Sequence, residues 1–206
     1  MIIHEVATPR KQLAFTFDDG PDPVHTARIA AAFERHGGRA TFFVLGGALE
    51  RHPDVARALH AAGHELGNHS YSHPRLTELD EDARREELER TDALIRDIAG
   101  VRPTSFRAPF LATDDALEAL AASYGYAHAG GLNLDSMDWA SPGVEHIAAT
   151  VRAAFRAGAV ILLHDGGDRE QTAEAIERLL PEAVAAGFEL VTFAELRRQA
   201  AEASPA

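Results

Sequence analysis

Two adjacent carboxylates occur in Phe17-Asp18-Asp19-Gly20, directly after an apolar segment. Because side chains alternate in direction along a strand, the two acids at its end point in different directions. Buried carboxylates need a cation or hydrogen-bond donors nearby. One acid can therefore bind a metal ion while the other stays free as a base. On its own, Asp-Asp-Gly is also typical of a surface turn.

Two histidines four residues apart, His69 and His73, are the second candidate group. Their rings can face one direction on a helical turn or on a loop of similar pitch. Imidazole pairs suit zinc, cobalt and nickel ions, and the chain has no cysteine to offer a thiolate instead. Two His and one Asp leave positions open for water and substrate, as in catalytic metal sites. A solvated surface pair is the alternative for this spacing alone.

The segment Arg107-Ala108-Pro109-Phe110 offers two further functions. An arginine at a strand end can pair with a carboxylate and lower its pKa. Pro109 lacks an N–H, and the next amide, that of Phe110, is free to point at a developing oxyanion. An ordinary Arg-Pro turn is the alternative interpretation.

The segment Asp135-Ser136-Met137-Asp138-Trp139 contains the only tryptophan of the chain. A tryptophan beside a pocket provides a flat apolar wall that suits an acetyl methyl or a sugar face, although a core position explains it equally well. His164 follows the apolar segment Ala159 to Leu163. Near a carboxylate this imidazole can stay protonated and act as a general acid. A hydrogen-bonded core histidine is the alternative.

Strand-like and helix-like segments alternate along the chain, a pattern typical of an α/β fold with parallel strands. The predicted strands are residues 13–17, 40–45, 64–67, 105–107, 126–129, 159–163 and 189–192. The predicted helices are residues 24–36, 53–62, 77–98, 114–123 with Thr113 as N-cap, 144–157, 172–186 and a last helix from residue 194. About seven βα units without a long linker favour a distorted (β/α) barrel in a single domain, residues 1–206.

The polar candidates follow the predicted strands directly. Asp18, Asp19, Arg107 and His164 each stand at a strand end, where catalytic groups of such barrels converge. Together, their chemical types complete one reaction. No G-x-G-x-x-G follows the first strand, so a dinucleotide site has no support.

Charge and composition narrow the range of partners. The formal net charge is −12, which disfavours nucleic acid and anionic membranes, and no segment is apolar over the roughly 18 residues of a membrane span. The N-terminal sequence MIIHEVATPRKQ lacks the apolar core of a signal peptide. We therefore expect a cytoplasmic protein, or an extracellular one if the chain is a trimmed mature form.

The motifs, in their order, resemble those of the polysaccharide deacetylases of carbohydrate esterase family four, which share the NodB homology domain. The similar segments are TFDDG at 16–20, HSYSH at 69–73, RAPF at 107–110, DSMDW at 135–139 and LLHD at 162–165. The resemblance covers about residues 13–196. It implies a barrel lacking one strand of the usual eight and a metal-dependent removal of N-linked acetyl groups from an N-acetylated amino sugar.

The resemblance also implies a role for each matching residue. Asp18 is then the general base, His164 the general acid, Arg107 the residue that tunes the base, and Asp138 the acid that orients His164. The implied metal ligands are Asp19, His69 and His73, and the implied ion is one divalent metal, Zn²⁺ first and Co²⁺, Ni²⁺ or Mn²⁺ as alternatives. The implied substrate-binding groups are Phe110 through its amide, Trp139 and Leu162. Phe110 departs from the tyrosine that many members carry.

Three other functions are alternatives to this one. The same metal site can hydrolyse a non-sugar acyl group or a cyclic amide, and the motifs do not separate these reactions. A non-catalytic sugar-binding module or a structural barrel would be expected to lack some of the base, ligands and acid. All of these residues are present here, which favours the enzyme.

Overall fold

A computed structural model describes residues 1–203, so the last three residues of the predicted domain lie outside the described part of the chain. Strands β1 to β7 span Gln12–Asp18, Thr41–Val44, Glu65–Asn68, Ser105–Phe106, Ala127–His128, Ala159–His164 and Glu189–Leu190. Helices α1 to α8 span His25–Arg35, Gly46–Arg51, Pro53–Ala61, Glu81–Ala99, Asp115–Ser123, Val144–Ala153, Glu170–Ala185 and Phe193–Ala203.

The strands form one parallel sheet that curls into a half-barrel, which confirms the predicted α/β barrel-like fold. The strand order is β5-β4-β3-β2-β1-β6, and β7 pairs with the start of β1. Strand β1 is the centre of the sheet, since it pairs with β2, β6 and β7. Its last residue, Asp18, is in register with Phe43 on one side and His164 on the other. The ends of these strands therefore meet at one edge.

The N-terminal segment bridges the space between β5 and β6. Ile3 forms a parallel bridge to Ala129, and Glu5 forms an antiparallel bridge to Ala159. The chain beyond β5 also reaches β6, because the Leu132 N–H donates to the Val160 carbonyl at 3.0 Å. These contacts satisfy backbone groups that an open sheet edge would leave unpaired, and they fix the segment that leads to Asp138.

Aromatic side chains dominate the core between β1, β2 and α1. The rings of Phe17 and Phe42 stack with centroids 5.3 Å apart, and Phe33 of α1 packs edge-on against Phe15 at 5.6 Å. Every residue of β1 is buried, which anchors the strand that presents the two carboxylates. None of the helices within residues 1–203 combines the length and apolar character needed to cross a membrane.

Several helix boundaries differ from the prediction, and one helix was not predicted. The helix expected from Thr77 begins at Glu81, because Asp80 caps it by accepting from the Ala83 N–H at 2.9 Å. The prediction that Thr113 is the N-cap of α5 is wrong. Asp114 takes that position and accepts from the Leu117 N–H at 2.7 Å. The helix expected to reach residue 157 ends at Ala153, and the short helix α2 was not predicted.

We predict that Phe33→Ala lowers the free energy of unfolding by about 3–5 kcal/mol, because it removes a fully buried ring from this core. Urea denaturation measures the change. The matched control is Phe110→Ala, since the Phe110 ring is 59% exposed. Equal losses in the two variants would contradict this description of the core.

Candidate active site

The candidate residues converge at the C-terminal edge of the half-barrel. Asp18 ends β1 and His164 ends β6, in register with each other. Arg107 follows β4, and His69 follows β3. Parallel strands bring these positions together although they lie far apart in the sequence, as the sequence analysis predicted.

Asp18 and Arg107 form a buried ion pair. Arg107 Nη1 donates to Asp18 Oδ1 at 2.6 Å, and both side chains are almost completely inaccessible to solvent. Arg107 Nη2 donates to Thr16 Oγ1 at 2.7 Å and to the Gly130 carbonyl at 2.5 Å. Burial alone raises the pKa of Asp18, but the positive charge and the hydrogen bond of Arg107 are the main effects that outweigh it and hold the pKa below its usual value. Asp18 is therefore ionised at neutral pH.

Asp19, His69 and His73 present three ligand atoms to one point, all within 4.8 Å of one another. Asp19 Oδ1 lies 3.6 Å from His69 Nε2 and 3.4 Å from His73 Nε2. This oxygen is buried and has no hydrogen-bond partner. A buried carboxylate oxygen without a donor is costly, so its chemistry fits a cation between the two imidazoles. This set suits a divalent metal with open coordination positions.

The orientation of His69 is fixed by the backbone. His69 Nδ1 lies 2.8 Å from the Arg107 carbonyl, which can only accept, so Nδ1 carries the proton and Nε2 keeps its lone pair. Burial lowers the pKa of His69 and favours the neutral ring that a metal requires. The pair is not on a helix, because Ser70 and His73 have φ of 69° and 63° and the segment is a loop. The loop alternative of the sequence analysis therefore holds.

His164 is held by Asp138 through two hydrogen bonds. Its Nδ1 lies 2.9 Å from Asp138 Oδ1, and its backbone N–H donates to Oδ2 at 2.8 Å. Thr172 of α7 also donates to Oδ2, at 2.9 Å. Burial alone lowers the pKa of His164, but the hydrogen bond and the charge of Asp138 outweigh it and raise the pKa above its usual value. This ring can carry a proton near neutral pH.

A cavity of about 530 Å³ lies above these groups, within the range of small-molecule sites. Trp139 and Phe110 line it and are 54% and 59% exposed, while Leu162 forms a buried part of its wall. The core alternative for Trp139 is therefore wrong. Asp19, His73 and His164 also line the cavity, so the candidate metal ligands and the candidate acid share one space with an apolar wall.

Several residues that support the site were not predicted from the sequence. Thr16 and Thr172 hold Arg107 and Asp138, but a threonine in a strand or helix carries no signal of such a role. Asp165 is fully buried, contacts the Thr26 hydroxyl, and has its pKa raised to about 8 by burial and nearby carboxylates. Arg169 lines the cavity with a buried Nε that has no hydrogen-bond partner.

The fold and the site together define a metal-dependent hydrolase of the half-barrel type. Residues 5–129 match the polysaccharide deacetylase family. The chain is 36% identical to a peptidoglycan-N-acetylglucosamine deacetylase of Bacillus cereus, over 94% of this chain and 92% of that one. It is 35% identical to a chitooligosaccharide deacetylase of Rhizobium leguminosarum bv. trifolii, over 90% and 92%. The chain belongs to the polysaccharide deacetylase family, which is divalent-metal-dependent.

A solved structure agrees with this assignment. The crystal structure of the Bc1960 peptidoglycan N-acetylglucosamine deacetylase, in complex with 4-naphthalen-1-yl-N-oxidanyl-benzamide, superposes with a TM-score of 0.89 at 28% identity. The match covers 94% of this chain and 91% of that chain. The similarity therefore extends over the whole half-barrel, including the edge that carries the candidate site.

We predict that His73→Ala abolishes stoichiometric metal binding, because it removes one of three converging ligands. Elemental analysis after dialysis against a low concentration of Zn²⁺ measures the occupancy. His60→Ala, on α3 and outside the ligand cluster, is the matched control and should keep its metal. Full occupancy in His73→Ala would refute the ligand assignment.

Proposed function

We propose that this protein hydrolyses the N-acetyl group of N-acetylglucosamine units in a glycan or oligosaccharide, releasing acetate and a free amine. One observation carries the proposal. The ligand set of Asp19, His69 and His73 lies beside an ionised Asp18 and a His164 whose pKa is raised. A metal site, a base and an acid in one cavity are the requirements of amide hydrolysis.

We propose Zn²⁺ as the ion, held by Asp19, His69 and His73. Two imidazoles and one carboxylate with open positions are typical of catalytic zinc, and Co²⁺, Ni²⁺ or Mn²⁺ suit the same donors. When bound, the ion supplies a Lewis acid that polarises the acetyl carbonyl and lowers the pKa of water.

Asp18 is proposed as the general base that takes the proton of the attacking water. Its Oδ1 is occupied by Arg107, whereas Oδ2 lies 3.8 Å from His69 Nε2, on the side of the ligand cluster. Oδ2 is therefore the oxygen available to the water. Arg107 keeps Asp18 ionised and fixes its orientation.

His164 is proposed as the general acid that protonates the leaving nitrogen. Asp138 accepts the Nδ1 proton, which leaves Nε2 as the atom that can donate to a substrate. The Phe110 amide is proposed as the donor to the developing oxyanion. One such donor is worth about 10²–10³ in rate.

The proposed sugar follows from the relatives and from the cavity wall. The two curated relatives act on peptidoglycan and on chitooligosaccharide, which share the N-acetylglucosamine unit. Trp139 and Phe110 are exposed aromatic rings at the cavity, and a flat ring suits the apolar face of a sugar. Leu162 is placed to contact the acetyl methyl.

Acetate release from N-acetylglucosamine oligomers and monomers by the Zn²⁺-loaded protein tests the proposal. We predict that Asp18→Asn keeps its metal but loses about 10²–10⁴-fold in kcat, because the amide cannot take a proton. If the wild-type protein releases no acetate from these sugars but hydrolyses a non-sugar acyl group or a cyclic amide, the site catalyses that other reaction instead. A wild-type rate in Asp18→Asn would remove Asp18 from the role of base.

We predict that Asp138→Asn shifts the alkaline limb of the kcat profile to lower pH. The raised pKa of His164 keeps the acid protonated at a pH where an ordinary histidine has lost its proton. Removing the charge of Asp138 lowers that pKa, so the active protonated form is lost earlier as pH rises. An unchanged alkaline limb would show that His164 is not the titrating acid.

A further inference from the structure

His128 is a buried polar residue that has no role in the proposed mechanism. It ends the short strand β5, its side chain is 2% exposed, and its ring lies 5.1 Å from that of Phe106. Most buried polar side-chain groups are hydrogen-bonded, and the identity of the partners of an imidazole decides which nitrogen carries the proton.

Both nitrogens of His128 are occupied. Nδ1 lies 2.6 Å from Oε1 of Glu118, on α5. Nε2 lies 3.2 Å from the backbone nitrogen of Ala108. The Ala108 amide can only donate, so Nε2 must accept, and the proton must reside on Nδ1 and be donated to Glu118. The partners therefore select one neutral tautomer.

The amide that His128 holds belongs to the segment Arg107–Phe110. The two residues after His128 hold the same segment, because the carbonyls of Ala129 and Gly130 accept from the Arg107 guanidinium at 3.3 and 2.5 Å. Phe110 has φ of 60°, a left-handed conformation that a non-glycine residue keeps only when its surroundings enforce it. Residues 128–130 thus hold the segment Arg107–Phe110 through hydrogen bonds.

We propose that Glu118 and His128 are a positioning pair that fixes the Ala108 amide and, through it, the Phe110 amide and the Arg107 side chain. The proposal rests on the proposed function, in which the Phe110 amide faces the oxyanion and Arg107 orients the base. Neither residue contacts the reacting atoms. They contribute by selecting the Nδ1–H tautomer of His128. In the other neutral tautomer, Nε2 could not accept the hydrogen bond from the Ala108 amide.

The charges around the pair favour this state. Burial alone raises the pKa of Glu118, but hydrogen bonds from the terminal ammonium, His128 and Thr113 outweigh it and lower the pKa to about 2. Glu118 is therefore an ionised acceptor. Burial lowers the pKa of His128, and with the positive charge of Arg107 it outweighs the hydrogen bond and negative charge of Glu118, which raise that pKa. The ring is neutral at neutral pH, as acceptance at Nε2 requires.

The first experiment compares His128→Leu with His128→Gln in the Zn²⁺-loaded enzyme. The glutamine oxygen can replace Nε2 as the acceptor, whereas leucine cannot. We expect His128→Leu to lower kcat by about 10- to 100-fold with KM and metal occupancy unchanged, and His128→Gln to recover most of the rate. A wild-type kcat in His128→Leu, or equal losses of kcat in the two variants, would overturn the proposal.

The second experiment does not depend on activity. Long-range ¹H–¹⁵N spectra of the histidine rings in the Zn²⁺-loaded protein report the tautomer of His128, identified by its absence in His128→Gln. We expect a protonated Nδ1 and a bare Nε2. In backbone spectra, the Phe110 amide should shift in His128→Leu and much less in His128→Gln. A protonated Nε2, or a Phe110 amide that does not respond, would overturn the pair even if the deacetylase assay succeeds.

Discussion

The buried ion pair of Arg107 and Asp18 is the constraint on which the rest of the site depends. An ion in a protein interior carries a desolvation penalty of several kcal/mol, and this penalty is offset only when its hydrogen-bonding groups find partners. Arg107 meets this requirement with Asp18, Thr16 and two backbone carbonyls from the chain beyond β5. Those partners come from two separate parts of the half-barrel, β1 and the segment after β5, and Arg107 itself follows β4. The guanidinium therefore fixes β1, β4 and the segment after β5 relative to one another, and the proposed metal ligand His69 is tied to the same point through the Arg107 carbonyl.

The charged groups around the site shift the pKa values of the proposed acid and base apart. Asp18 and His164 are partners in register on adjacent strands, yet their pKa values move in opposite directions. Arg107 stabilises the carboxylate, and Asp138 stabilises the imidazolium. Pairs of titratable groups shifted apart by their environment are typical of acid–base sites. The arrangement has a cost, because a carboxylate with a lowered pKa is a weaker base. A divalent ion held by Asp19, His69 and His73 would lower the pKa of water, so that a weak base would suffice.

Much of the fold and of the site could be predicted because the decisive signals are local. An apolar run such as Ala159 to Leu163 predicts a strand, and the polar residue after it is then placed at the strand end by topology alone. The remaining features depend on partners that are distant in the sequence. Thr113 and Asp114 are both acceptable N-caps, and the structure selects Asp114, which Arg84 also binds at 3.0 Å, 30 residues away. His128 gives no sign in the sequence that its ring nitrogen will meet the Ala108 amide, since only the pairing of β4 with β5 creates that contact.

The half-barrel holds several residues of the site in unfavourable backbone conformations. Within residues 1–203, the non-glycine residues with positive φ are Asp19, Ser70, His73, Phe110, Leu111, Met137 and Ser141. Most of them carry, adjoin or line the proposed ligands and cavity. Such conformations cost on the order of 1–3 kcal/mol each and persist only where the surroundings enforce them. In the loop of the two histidines, the enforcing groups belong to the protein. Asn68 accepts from the Ser70 N–H at 2.9 Å, and Glu87 of α4 accepts from the N–H groups of Tyr71 and Ser72 at 2.8 Å. The scaffold thus arranges the ligand atoms through its own hydrogen bonds, and the binding free energy of an ion need not be used to order the loop.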